Sequence, residues 1–324
     1  GHEERFMVPG RRLLVAVAVA VTAAGCGGAT SAPAPSSVTS GAVTAAPSST
    51  ASGASGPSGP GVSKVLVIVE ENHGLSQVEA GMPYLFGLAR QYGYATDYVA
   101  VTHPSLPNYL AIAGGSTFGV SDDASPSSHP LPGPSVFGQA LAAGRTARLY
   151  AESMPSPCDL RASGRYAVKH APWAYFTAER ASCAAGMVPA GTPARGALAG
   201  DIATGRLPNV GMLIPNLDHD AHDGTLAQSD SWLHGWLPAL LAGPDFTAGR
   251  LAVVVTDDEN DGAGGNRVLT VVLAPGLHHR VVTAALDHYS LTLFYDQVVG
   301  ARPLRAAATA TSLASAFGLR LASG

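Results

Sequence analysis

Ser105 lies in the segment Thr102-His103-Pro104-Ser105-Leu106-Pro107-Asn108-Tyr109, directly ahead of the apolar, helix-prone run Tyr109-Leu110-Ala111-Ile112-Ala113. A hydroxyl at a helix start sits among free backbone N–H groups at the positive end of the helix dipole, a setting that favours an anion. Asn108 adds a side-chain amide about one helical turn further on. Prolines at 104 and 107 restrict the backbone around the hydroxyl. A nucleophile, an amide donor and an anion-friendly helix end together suit the transfer of a phosphoryl group. No Gly-x-Ser-x-Gly elbow surrounds Ser105, which argues against a serine esterase of the α/β-hydrolase type. Neither a Walker A loop nor a dinucleotide-type glycine fingerprint follows any candidate strand.

Four further stretches carry acids and histidines. Glu71-Asn72-His73 is either a polar turn with a helix cap or a metal-ligand pair formed by Glu71 and Asn72, since oxygen donors suit hard cations and imidazole admits zinc or iron. Asp218-His219-Asp220-Ala221-His222-Asp223 is denser in ligands than a solvated turn requires, and either Asp218 or Asp220 can converge with His222 on one ion. Asp257-Asp258-Glu259 places adjacent carboxylates that repel unless a cation neutralises them. It is not an EF-hand loop, because the twelfth position counted from Asp257 is Val268 rather than Glu. His288 opens the last long helical pattern and either caps it or ligates. His170 is a lone loop histidine, and such residues are more often structural.

These clusters need elements to position them. Residues 64–69 form a continuous β-branched run, as expected of a strand buried on both faces. Residues 94–101 read as extended, and 147–150, 210–214, 251–255 and 268–273 as short buried strands. Helical spacing marks 83–92, 136–143, 229–241 and 289–299. Residues 118–134 and 153–200 read as long loops. Strands alternating with helices imply an α/β fold with a mostly parallel central sheet and helices on both faces. In such sheets ligands collect beyond the carboxyl ends of the strands, where the acid and histidine clusters fall.

The chain of 324 residues divides by composition. Arg11-Arg12, the apolar run 13–20 and Ala23-Ala24-Gly25-Cys26 read as an export signal over 1–26, too short to span a bilayer. Cysteine after Ala-Ala-Gly resembles a lipoprotein box, with Ala23 where that motif usually has Leu, and makes Cys26 the candidate for lipidation. Residues 27–63, rich in Gly, Ala, Ser, Thr and Pro, read as a disordered tether. Residues 64–324 are long enough for one catalytic domain. Export implies an extracellular or cell-envelope location and an oxidising compartment, so Cys158 and Cys183 are expected to form a disulfide. A net charge of -4 and 13% charged residues exclude the basic stripe of a nucleic-acid-binding protein. Membrane attachment is expected only through a lipid on Cys26.

The ordered set Val-Glu-Glu-Asn-His (69–73), His-Pro-Ser-Leu-Pro-Asn-Tyr (103–109), Asp-Ala-His-Asp-Gly (220–224), Thr-Asp-Asp-Glu (256–259) and His-Tyr-Ser-Leu (288–291) resembles the bacterial phosphoesterase family of secreted acid phosphatases and phospholipases C. That family belongs to the alkaline phosphatase superfamily. Tyr166 with His170-Ala171-Pro172 is a sixth piece. The resemblance spans about 64 to 300 and is greatest to compact actinobacterial acid phosphatases of the phosphatidylinositol-3-phosphatase type. It implies an alkaline-phosphatase-like fold, Ser105 as the phosphorylated nucleophile and Asn108, with His103, as substrate-binding groups. It implies Glu71, Asn72, Asp258 and Glu259 as metal ligands, and Asp220, His222 and His288 facing the phosphoryl group or a second ion. His170 and His222 become catalytic histidines. The extra Asp257 leaves the register of the acidic pair open, and Asp296 stands where relatives more often carry Glu.

The expectation is an exported phosphatase, dependent on one or two divalent metal ions, that hydrolyses phosphomonoesters through a phosphoserine at Ser105. A phosphoinositide or another small phosphomonoester is the expected substrate. The competing readings are a phospholipase C-like phosphodiesterase using the same site and a non-catalytic metal-binding envelope lipoprotein. A sulfatase is disfavoured, because its Cys/Ser-x-Pro-x-Arg motif requires Arg where Tyr109 stands.

Overall fold

The computed structural model describes residues 59–323. The export signal at 1–26, Cys26 and residues 27–58 of the tether lie outside the described residues. The Val-Leu-Val-Ile-Val run forms β1 (Lys64–Glu70), buried along all but its first residue, as a strand covered on both faces must be. The other strands are β2 (Gly93–Val99), β3 (Ala147–Ala151), β4 (Met187–Pro189), β5 (Val210–Ile214), β6 (Leu251–Asp257), β7 (Arg267–Leu273), β8 (Arg280–Val282) and β9 (Leu286–Asp287). The helices are α1 (Leu75–Gly81), α2 (Pro83–Gln91), α3 (Ser105–Gly114), α4 (Val136–Ala142), α5 (Arg180–Gly186), α6 (Ala197–Thr204), α7 (Leu226–Ala242), α8 (Pro244–Thr247), α9 (His288–Val298) and α10 (Leu313–Phe317).

One sheet runs β4-β3-β5-β1-β6-β7-β2-β8, with β9 also paired to β2. β7 is antiparallel to both β6 and β2, while the remaining pairings are parallel. The sheet is therefore mostly parallel, as expected. Its period-2 alternation separates two cores. Val65, Val67 and Val69 pack with Leu106, Phe137 and Phe294 of α3, α4 and α9. Leu66 and Ile68 pack with Val78, Leu85, Leu198 and Trp236 of α1, α2, α6 and α7. Helices cover both faces.

The region 153–200, read as a loop, holds α5, β4 and the start of α6. Arg-Ala-Ser-Cys-Ala-Ala-Gly of α5 carries no apolar period, so its helix comes from tertiary packing rather than pattern. Cys158 and Cys183 are disulfide-bonded, with Cα atoms 5.4 Å apart. The tether boundary at residue 63 also moves. Val62 is buried, and its N–H donates to the Arg320 carbonyl at 2.8 Å. No helix among the described residues is long and apolar enough to cross a membrane.

Asp296, on α9, is buried and accepts from Gln139 Nε2 at 2.6 Å and from the Leu304 N–H at 2.8 Å. Burial pushes its carboxyl up to about 7, against a smaller opposing effect of the Leu304 hydrogen bond. A folded carboxyl that holds its proton more tightly than the unfolded chain does contributes less stability as pH rises from the ordinary carboxylate range through about 7. Asp296→Asn should therefore flatten the fall in Tm between about pH 4 and pH 7. A steeper fall in the variant contradicts the assignment, and thermal melts at several pH values decide.

Candidate active site

Strand order brings the clusters together. β1 lies between β5 and β6, so the chain leaving each of the three carboxyl ends enters one small volume. Glu71 follows β1, Asp220 lies on the loop after β5, and Asp258 follows β6. Two backbone bonds lock these loops: Glu71 N–H to the Asp220 carbonyl at 2.8 Å, and Asp258 N–H to the Glu70 carbonyl at 2.9 Å. Gly224 lets the Asp220 loop close, since a Cβ there would overlap the Asp218 carbonyl oxygen.

α3 begins at Ser105 and is buried throughout. The Ser105 hydroxyl donates to Glu71 Oε2 at 3.1 Å. One turn along the same helix, the Tyr109 hydroxyl donates to Glu71 Oε1 at 2.6 Å. His170 stacks on the Tyr109 ring with centroids 5.0 Å apart. Its Nε2 lies 3.1 Å from Glu71 Oε1 and its Nδ1 3.2 Å from Asp220 Oδ2. Neither approach has hydrogen-bond geometry, and both nitrogens lack a partner. Burial, aided by the charges of Lys169 and His222, holds the ring well below the usual histidine range, so it is neutral. The contacts are those of a neutral imidazole wedged between acids, not of an ion pair.

Around it the acids are desolvated. Burial, then the charges of Asp258 and Asp220, push Glu71 well above the usual carboxylate range. Burial and Glu259 do the same to Asp258. Burial raises Asp220 to about 7 against the opposing His222 backbone hydrogen bond, and it raises Glu259 to about 7. Asp258 Oδ1 accepts the N–H groups of Asn72 and Glu259, at 3.2 and 2.7 Å, while its Oδ2 is buried without a partner, as is Asp220 Oδ2. Glu71, His170 and Asp220 each offer a ligand atom within 4.8 Å of the others. Orphaned carboxylate oxygens beside an orphaned imidazole make a candidate donor set for a divalent cation.

The remaining expected residues have distinct places. Asn108 Oδ1 accepts from the N–H groups of Val101 and Thr102, and its Nδ2 lies within reach of the Thr102 and Pro104 carbonyls and of Glu259 Oε2. Its amide thus shapes the turn that delivers Ser105. His103 Nδ1 is 3.1 Å from Glu259 Oε2 at the half-open edge. Asn72, at φ 62, reaches the cluster through its backbone N–H. His222 is turned toward the rim, with Nδ1 2.7 Å from Asp223 Oδ1 and its ring 5.9 Å from that of His170. His288 is not brought to the cluster with a free nitrogen. Its Nε2 is 2.6 Å from the Asp258 carbonyl, which can only accept, so Nε2 carries the proton and Nδ1 accepts from the Tyr98 hydroxyl at 2.9 Å. The ring therefore braces the Asp258 backbone. Asp257 is paired in register with Glu70 and points with it to the opposite face of the sheet, so that of the three consecutive acids Asp258 is the one linked to the Asn72 backbone beside Glu71.

Sequence reasoning did not single out Tyr109, Lys169, Asp123 or Tyr98. The spacing of four between Ser105 and Tyr109 on one helix was the available signal for the first. The others depend on contacts between distant segments.

The Phosphoesterase family model matches residues 70–300, which include the whole cluster. The chain belongs to the Phosphoesterase family. It is a phosphoric ester hydrolase. The phosphatidylinositol-3-phosphatase of Mycobacterium tuberculosis is 31% identical over 248 residues, covering 74% of this chain and 78% of the relative. An acid phosphatase of Aspergillus fumigatus is 27% identical over 220 residues, covering 63% of this chain and 47% of that protein, so the chain spans about half the fungal relative's length. Among solved structures, an alkaline phosphatase superfamily protein from Vibrio parahaemolyticus matches with TM-score 0.51 at 11% identity, covering 77% of this chain and 72% of that one. A lipoteichoic acid synthase from Listeria monocytogenes matches with TM-score 0.53 at 10% identity, covering 78% and 76%. Both likenesses concern the fold alone.

Tyr109→Phe keeps the ring that packs on His170 and removes the donor to Glu71. Losing a hydrogen bond to a buried carboxyl should lower kcat/KM for a phosphate ester by about tenfold, with circular dichroism unchanged. Undiminished activity in this variant would mean that the Tyr109 hydroxyl plays no part in holding Glu71.

Proposed function

We propose that this protein is an exported, divalent-metal-dependent phosphatase that hydrolyses phosphomonoesters through a phosphoserine at Ser105. The observation that carries the reading is the buried Ser105 hydroxyl, held on Glu71 at the start of α3 beside carboxylate oxygens that have no partner. Glu71, His170, Asp220 and Asp258 are the residues suited to hold the ion, with Glu259 and the Asn72 backbone flanking them. A bound divalent cation supplies positive charge for the serine oxygen and the phosphoryl oxygens.

The chain's own residues do the rest. Glu71 aligns Ser105 Oγ and receives its proton as Oγ bonds to phosphorus. The bond from phosphorus to the ester oxygen breaks, and the departing alkoxide takes a proton. His222 is suited to give it, because it lies at the rim beside Asp223, whose carboxyl the His222 hydrogen bond holds below the usual range. Water then attacks the phosphoserine and gives a proton back to His222 as its oxygen joins phosphorus, and the proton held by Glu71 returns to Ser105 as the bond to Oγ breaks. The α3 N-terminus favours the phosphoryl charge throughout.

The phosphatidylinositol-3-phosphatase and acid phosphatase relatives support a monoester substrate, and a phosphoinositide is the first to try. The disulfide between Cys158 and Cys183 supports export, because such bonds persist in oxidising compartments.

Ser105→Ala should lower p-nitrophenyl phosphate hydrolysis by about a thousandfold or more and abolish acid-stable phosphate labelling of residue 105. Near-native turnover in that variant would remove Ser105 from the mechanism. Chelation should abolish activity, and adding back a divalent ion should restore it and raise Tm by preferential binding to the folded state. Full activity in chelator, with no metal found by elemental analysis, would rule out the ion.

A further inference from the structure

A cavity of about 710 Å3 opens beside the cluster, sharing Asp123, Lys169 and His222 with its border, and apart from His222 its lining has no part in the chemistry above. Its walls come from residues 123–127, 160–169, 180 and 217–223. These are mostly the long loops that flank the sheet's carboxyl end. The inner wall is formed by Asp123 and Lys169, ion-paired at 2.8 Å. Asp123 Oδ1 also accepts the Leu106 N–H at 2.9 Å, one residue beyond the nucleophile. His222, the proposed proton donor, completes that wall. An occupant of this space touches residues that also border the helix start carrying Ser105.

The cavity is apolar in its body and cationic in its unspent charge. Pro126, Val168 and Leu217 line it, and Leu160 at its edge is 37% exposed, a large aliphatic side chain left in water. Both acids in its wall are already engaged, Asp123 with Lys169, and Asp223 with Arg165 at 2.9 Å and His222 at 2.7 Å. Arg161 and Arg180 also line it, and neither has a carboxylate partner among the ion pairs of the described residues, although one Arg180 nitrogen donates to the Ala174 carbonyl. The segments that carry these two cations are tied to one another. Arg161 follows Cys158 by three residues, Arg180 precedes Cys183 by three on α5, and the two cysteines are bonded. Two guanidinium groups lining one apolar cavity suit an oxyanion carried on a carbon framework.

We propose that this cavity holds the leaving-group end of the substrate, and that Arg161 and Arg180 bind a second phosphate there, selecting doubly phosphorylated alcohols over simple esters. The inference rests on the phosphomonoesterase reading above and names the substrate class of that site. The second phosphate is the monoester of a soluble bisphosphate or the diester of a phospholipid headgroup.

The test compares wild type, Arg161→Gln/Arg180→Gln and Arg161→Lys/Arg180→Lys on p-nitrophenyl phosphate, fructose 1,6-bisphosphate and dibutanoyl phosphatidylinositol 3-phosphate. Wild type should favour at least one doubly phosphorylated ester. The glutamine variant should lose about tenfold or more of that kcat/KM, mainly through KM, and stay within about twofold on p-nitrophenyl phosphate. The lysine variant should recover part of the loss. Loss on the lipid alone identifies a headgroup, and loss on both identifies the phosphate itself. No wild-type preference, or equal loss on all three esters, overturns the proposal. If wild type cleaves none of them, the hydrolase reading fails separately. Calorimetric binding of inositol 1,3-bisphosphate then decides, and affinity unchanged by the glutamine substitutions overturns the cavity assignment.

Discussion

Burying acids at the carboxyl ends of three adjacent strands is the constraint on which the rest of this molecule turns. Glu70, Glu71, Asp220, Asp257, Asp258 and Glu259 are all nearly inaccessible to water. An ionised carboxylate in that position loses its hydration, and its neighbours repel it. The surrounding structure answers with donors: the Ser105 and Tyr109 hydroxyls on Glu71, backbone N–H groups on Asp258, and the Ser229 hydroxyl on Glu70. The oxygens that remain without donors, together with a neutral His170, define what the cluster lacks, which is positive charge. The same demand fixes Ser105, because its hydroxyl is one of the two that partly satisfy Glu71.

The fold meets this demand through geometry outside the cluster. α3 is buried along its whole length, so Ser105 and Tyr109 are held by packing on the sheet rather than by solvent-facing contacts. Asn108 ties down the turn ahead of the helix, and His288 braces the carbonyl of Asp258 from behind. Residues that resemble ligands in sequence thus serve as supports in space, and supports of this kind set the precision of the reacting groups. On the outer side, the disulfide ties together the segments that carry Leu160, Arg161 and Arg180 in the wall of the neighbouring cavity.

Much of the fold was legible. The β-branched runs at 64–69, 210–214, 251–255 and 268–273 are strands, because short apolar runs bounded by polar turns have few other uses in an α/β chain. The helical patterns at 83–92, 136–143 and 289–299 were placed within a residue or so at each end, and 229–241 was found three residues short at its start, where a Thr225–Gln228 capping box begins the helix. β4, β8 and β9 escaped notice because two or three residues carry no period. α5 escaped because its small residues carry no apolar stripe.

The sequence by itself determined which residue types are available and where along the chain. The acids follow strands, the serine opens a helix, and two cysteines share one long segment, because hydrophobic period and helix-start chemistry are local properties. Only the tertiary structure decided which of these groups meet. The strand order β5-β1-β6 brings Glu71, Asp220 and Asp258 together, and the alternation of side chains across the sheet sends Glu71 toward Ser105 but Glu70 and Asp257 to the other face. It also decided that Tyr109 belongs to the cluster, that His170 sits between Glu71 and Asp220, and that His288 stands behind Asp258. Those outcomes depend on hydrogen-bonded register and close packing between segments far apart in the chain, which no local pattern encodes.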